Sequence, residues 1–120
     1  MIVAFWIITG LIALVFLGSG VMKITRPREA LATMGLKWTE DFTDLQVKLI
    51  GLAEALGALG LVLPVLLGIL PILSPIAAIL LAALMLGATV VHVRRTEPPV
   101  TLVLVVLSIA SAVLGFLVVG

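Results

Sequence analysis

The sequence predicts an all-α membrane protein: a bundle of four transmembrane helices with a short amphipathic segment between the first and second. Four apolar runs, residues 2–22, 49–70, 76–93 and 100–119, each approach the ~20 residues that an α-helix needs to cross the hydrocarbon core. The composition agrees: 63% of residues are hydrophobic and 11% charged, far from the usage of a soluble domain. The third observation is where the cations lie. Of the seven Lys and Arg, Lys23, Arg26, Arg28, Lys37 and Lys48 fall between the first and second runs, and Arg94 and Arg95 between the third and fourth. The N-terminal segment, the 64–75 connection and the C-terminal segment carry no charged side chain. In a four-span chain the two charged loops share one side. The positive-inside rule then predicts a multi-pass protein of the cell membrane, with both termini and the 2–3 loop outside and the charged loops cytoplasmic. One domain, 1–120, is expected, with spans at 2–22, 45–67, 75–93 and 100–119.

The first run opens with Phe5 and Trp6, suited to the outer interface, and ends in Gly18-Ser19-Gly20-Val21-Met22-Lys23. It lacks the cationic start, short apolar core and small-residue cleavage site of a signal peptide, so it is expected to persist as a helix. The following stretch, 24–43, is the only sizeable polar region. Pro27 can open a short helix through Met34 that Gly35 then stops. Leu31, Met34, Leu36, Trp38 and Phe42 give this stretch an apolar side, which predicts that it lies on the cytoplasmic membrane surface.

Thr43 and Gln46 form a capping-box pair for the second span, with Asp44 in its first turn. Pro64 and Pro71 punctuate its far end. Ser74 and Pro75 can start the third span, and Pro98-Pro99 the fourth. Ala53/Gly57, Ala83/Gly87 and Ser111/Gly115 are small-xxx-small pairs of the kind that let membrane helices approach closely.

Glu54 is the only charge between residues 49 and 70. An ionisable side chain at that depth is costly, and by its cost alone it marks a candidate functional position. At 100° per residue, Gly51, Gly57 and Ala58 flank it within about 60°, so a neighbouring helix rather than lipid is expected to cover this face. Lys48 lies roughly 9 Å and about 120° away on the same helix and is a poor partner. Cβ atoms tilt toward a helix's N-terminus, so Lys23 and His92, at the cytoplasmic ends of the first and third spans, lean back into the membrane while Glu54 leans toward them. Lys23, Glu54 and His92 are therefore predicted to border one polar cavity, with Ser19 adding a hydroxyl one turn before Lys23. Each also has a plainer reading: Lys23 as a snorkelling helix end, His92 as an interfacial residue, Glu54 as a hydrogen-bonded link between helices.

Other chemistries are excluded. The chain has no cysteine, which removes disulfides, thiolate metal sites and iron–sulfur clusters, and one histidine cannot supply both axial ligands of a haem within one chain. No metal site and no nucleic-acid partner are expected. No catalytic constellation is legible, so whether the chain is an enzyme stays open at this point.

Taken in order, Gly20-x-x-Lys23 with Arg26-Pro27-Arg28-Glu29, Leu49-Ile50-Gly51-x-x-Glu54-x-x-Gly57, and His92-x-Arg94-Arg95 resemble the DoxX-like family of small four-helix membrane proteins. The resemblance covers essentially the whole chain. It implies a four-helix membrane fold, with Lys23, Glu54 and His92 as the family's polar positions and no catalytic role to carry over to them. The family's name comes from a subunit of a thiosulfate:quinone oxidoreductase, and some members are associated with membrane complexes that handle oxidative and thiol stress. The expectation is a small subunit of a membrane redox or stress-response system, binding a quinone or other amphiphile at Lys23, Glu54, His92 and Ser19. Two alternatives stand beside it: a small proton-coupled transporter, and a non-catalytic assembly factor or chaperone. The expected partners are the lipid bilayer, further copies of the chain and membrane-associated redox proteins.

Overall fold

The computed structural model describes residues 1–98 and 100–119, so the Pro99 half of the expected Pro98-Pro99 helix start lies outside the described residues. Four long apolar helices cross the molecule: α1 (Ile2–Thr25), α3 (Asp44–Leu67), α4 (Leu73–Arg94) and α5 (Thr101–Val119). A short α2 (Arg28–Thr33) and a 3-10 turn (Lys37–Asp41) connect α1 to α3. The long helices pack in a ring, α1 on α3, α3 on α4, α4 on α5 and α5 back on α1. The molecule measures 41 × 26 × 17 Å, long enough for its main axis to cross a bilayer core of about 30 Å.

Local chemistry sets the helix ends. The Gln46 N–H donates to Thr43 Oγ1 (3.1 Å) while the Thr43 N–H donates to Gln46 Oε1 (2.9 Å), which is the capping box. Pro64 does not end α3. The helix runs one turn further and stops at Gly68, whose φ of +67° suits a residue without Cβ. Its N–H and that of Ile69 donate to the Val65 and Pro64 carbonyls, closing a Schellman end. Helix α4 starts at Leu73. Ser74 does not cap it; its Oγ donates instead to the Leu61 carbonyl (2.7 Å) and ties α4 to α3.

Large apolar side chains such as Leu14, Leu80 and Val103 cover the outside of the ring, as a lipid-facing surface requires. The inside is built from Ile12, Phe16, Leu61, Leu81, Met85 and smaller neighbours. Without water to drive helices together, close packing and interhelical hydrogen bonds hold such a bundle. At the uncharged end, Thr9 and Ser111 share a buried hydrogen bond of 2.7 Å, and Gly115 lets Phe5 and Pro75 close in. Phe5 is thus a fully buried plug rather than an interfacial residue.

The small-residue pairs divide. Ser111/Gly115 lies in the interior, and Gly57 receives the Leu81 side chain. Ala53 is exposed, and no neighbour lies near the place of a Cβ on Gly87. The tightest approach is elsewhere: Gly20 of α1 and Gly51 of α3 meet backbone to backbone, so that a Cβ on Gly51 would lie 2.8 Å from the Gly20 carbonyl and 2.7 Å from Lys23 Cβ.

Candidate functional site

The Gly20–Gly51 contact places Lys23, one turn further along α1, beside Glu54, one turn along α3. Lys23 Nζ donates to Glu54 Oε1 at 2.5 Å, and the two side chains are 8% and 1% exposed. Glu54 is therefore turned inward and paired with a cation from the neighbouring helix, the arrangement that makes an intramembrane carboxylate tolerable. Lys48 is not involved. Its Nζ reaches the Ile24 and Arg26 carbonyls at 3.0 and 3.3 Å and caps the end of α1.

The ion pair forms part of the wall of a cavity of about 620 Å³ in the charged half of the bundle. Ser19 and His92 line the same cavity, so the structure brings all four singled-out residues to one space. Beyond the Lys23–Glu54 pair it does not bring them into direct contact. His92 Nδ1 lies 3.2 Å from Glu97 Oε1, on its own side of the cavity, while Lys23 and Glu54 pair with each other.

The 24–43 stretch turns its apolar side onto the bundle. Leu31 is fully buried, and Leu36, Trp38 and Phe42 line the cavity; of the expected apolar face only Met34 is largely exposed. The Trp38 ring carries Lys23 Nζ at 5.2 Å from its centroid, a cation–π contact, and meets Phe42 edge to face. These aromatic side chains cover the cavity's charged end. They were legible as amphipathic in the sequence, but lipid and a cavity roof select the same side chains.

An ion-pair chain holds the cover in place. Arg95 Nη1 donates to Asp41 Oδ2 at 2.6 Å, across from the 3-10 turn, and Arg95 Nε donates to Glu97 Oε2 at 3.2 Å. These bonds, that to Asp41 first, raise the Arg95 pKa above its ordinary value. Glu97 thus joins His92 and Arg95. Its position follows from the end of α4, where the Thr96 and Glu97 N–H groups donate to the Val93 and His92 carbonyls. That Schellman geometry needs a left-handed residue, and Thr96 supplies it at φ +56°. Glu97 and Asp41 had no signal in the sequence beyond being loop acids near a basic pair; only the tertiary fold joins them.

The cavity reaches the surface of the molecule. Val15 of α1 and Val100, just before α5, line it and are nevertheless 42% and 67% exposed. Gly35, Gly87 and Pro98 of the lining are exposed as well, whereas at the opposite end α1 and α5 are joined through Thr9 and Ser111. Leu84, Met85, Ala88, Val91 and Leu104 make the remaining wall largely apolar, and Gly87 leaves it wide. A space of this size, apolar with a few polar groups at one end, has the character of a small-molecule site.

No curated protein and no solved structure matches the chain. A family model described as the DoxX-like family matches residues 7–114 of the 120, from within α1 to within α5, and takes in every residue that lines the cavity. The chain is an integral membrane protein of the DoxX-like family.

Proposed function

We propose that this protein binds a quinone-like or other amphiphilic small molecule in the cavity, as a small subunit of a membrane redox or stress-response system. The observation that carries this reading is the combination of a largely apolar cavity that reaches the molecule's surface with a buried Lys23–Glu54 pair at its polar end. A flat head group would lie against Trp38 and Phe42, with its apolar tail leaving past Val15. Lys23 or His92 would donate to an oxygen of the head group, and Glu54 would orient Lys23 or relay a proton. Redox partners in the membrane, or a second copy of the chain, would act from outside this cavity. We read the segregation of all seven Lys and Arg as placing both termini and the α3–α4 connection outside the cell membrane, with the cavity cover on the cytoplasmic side.

Extraction of the protein in native-lipid particles, followed by mass spectrometry of the bound small molecules, tests this. An amphiphile enriched in near-stoichiometric amount over its share of the bulk lipid is expected. Recovery of bulk lipids alone, in membrane proportions, would overturn the reading.

The assembly-factor reading has one observation in its favour: Lys23–Glu54 lies beside the Gly20–Gly51 contact and joins α1 to α3. On that reading the pair matters for stability alone. A proton-coupled transporter would further need a path through the half closed by Phe5 and the Thr9–Ser111 bond.

A further inference from the structure

We propose that the polar end of the cavity selects a hydroxyl-bearing head group, such as a phenol or a quinol, over the same ligand with only a carbonyl or ether oxygen. This rests on the amphiphile-binding reading and goes further by naming the group recognised. Its basis is the uneven use of the Glu54 carboxylate. Oε1 accepts from Lys23, while Oε2, itself buried, has no hydrogen-bond partner among the described residues. Glu54 lines the cavity, and the residue is 1% exposed.

A buried carboxylate oxygen without a partner calls for a donor. An ammonium carries three N–H donors, and one of those on Lys23 is directed to Glu54 Oε1. The site therefore offers an acceptor and further donors side by side. A hydroxyl is the smallest neutral group that answers both, donating to Oε2 and accepting from Nζ with one atom. A carbonyl or ether oxygen accepts from Nζ and leaves Oε2 dry and unpaired, the situation in which a site rejects a close analogue most strongly. Charged heads fit less well: an anion would face Glu54 and a cation would face Lys23. The rings of Trp38 and Phe42 suit an aromatic carrier for the hydroxyl, and the apolar wall leading to Val15 suits an alkyl tail.

The test uses the full-length protein in nanodiscs with Trp6→Phe, so that Trp38 in the cavity wall is the sole indole reporter. The probes are 4-decylphenol and its methyl ether, 4-decylanisole, with concentrations corrected for partitioning into protein-free discs. The phenol is expected to bind about tenfold tighter or more, the scale of one charge-assisted hydrogen bond. Glu54→Gln turns the acceptor into an amide: with its oxygen held by Lys23, the amide N–H₂ replaces Oε2, so the preference should vanish or reverse. The apolar double variant Lys23→Met/Glu54→Met should bind both probes equally. Equal binding of the two probes by the Glu54 protein would overturn the hydroxyl assignment and leave the amphiphile site standing. Binding of neither would overturn both. A phenol preference that survives in Glu54→Gln and in the double variant would overturn it as well, by locating the discrimination elsewhere.

Discussion

Lys23 and Glu54 stabilise each other only as a pair. Lys23→Met leaves a carboxylate 1% exposed with no cation, and the expected cost is about 3 kcal/mol in reversible unfolding from mixed micelles. Changing both residues, to Met and Gln, should cost clearly less than the two single changes together, because neither charge is then left alone. Additive single and double values would show that the two do not couple. Thr96 carries the opposite kind of expectation. A β-branched residue at φ +56° is held against its own preference, so Thr96→Gly should stabilise the fold by about 1 kcal/mol while keeping the Glu97–His92 bond. A lower unfolding midpoint in that variant would mean that the Thr96 side chain contributes more than its backbone strain removes.

Among the helices, α1 and α3 have the least tolerance. Gly51→Ala would put a methyl 2.8 Å from the Gly20 carbonyl and 2.7 Å from Lys23 Cβ, which forces the helices apart at the ion pair. A loss of about 1–3 kcal/mol is expected, the usual range for overpacking, and an unchanged unfolding midpoint would contradict the close approach. Much at this scale was legible beforehand. The capping box at Thr43 is read from residues three apart, and the small residues around Glu54 already required a helix over that face. Pro64 falls inside the expected 45–67 span, and because membrane helices tolerate a proline where neighbours compensate, α3 runs through it to Leu67. One small-residue pair reads differently in the structure. Ala83/Gly87 had the spacing of a packing motif. Spacing alone does not say whether a small residue admits another helix or leaves a hole, and Gly87 leaves a hole.

For the molecule as a whole, the charge asymmetry predicts orientation. Single cysteines at Glu40, in the cavity cover, and at Ile69, in the α3–α4 connection, are both exposed and should react from opposite sides of sealed vesicles. Reaction from one side, or mixed reaction at each site, would refute the assignment of the charged loops to the cytoplasm. The architecture was legible because four apolar runs and two charged loops leave few alternatives. The grouping of Lys23, Glu54 and His92 followed from Cβ direction, whereas the separate pairing of His92 with Glu97 did not. That pairing depends on a left-handed turn at Thr96, a residue type that rarely adopts one.

Filling the cavity tests its use most directly. Ser19→Phe from α1 and Gly87→Phe from α4 each place a ring on the cavity wall, Gly87 at a point where a new Cβ meets nothing within 4 Å. If the cavity holds an amphiphile, both variants should remain folded and lose the small molecule that copurifies with the unaltered protein, as read by mass spectrometry of native-lipid particles. Retention of the same molecule at full stoichiometry in both folded variants would show that it binds elsewhere, and that the cavity at Lys23 and Glu54 is not its site.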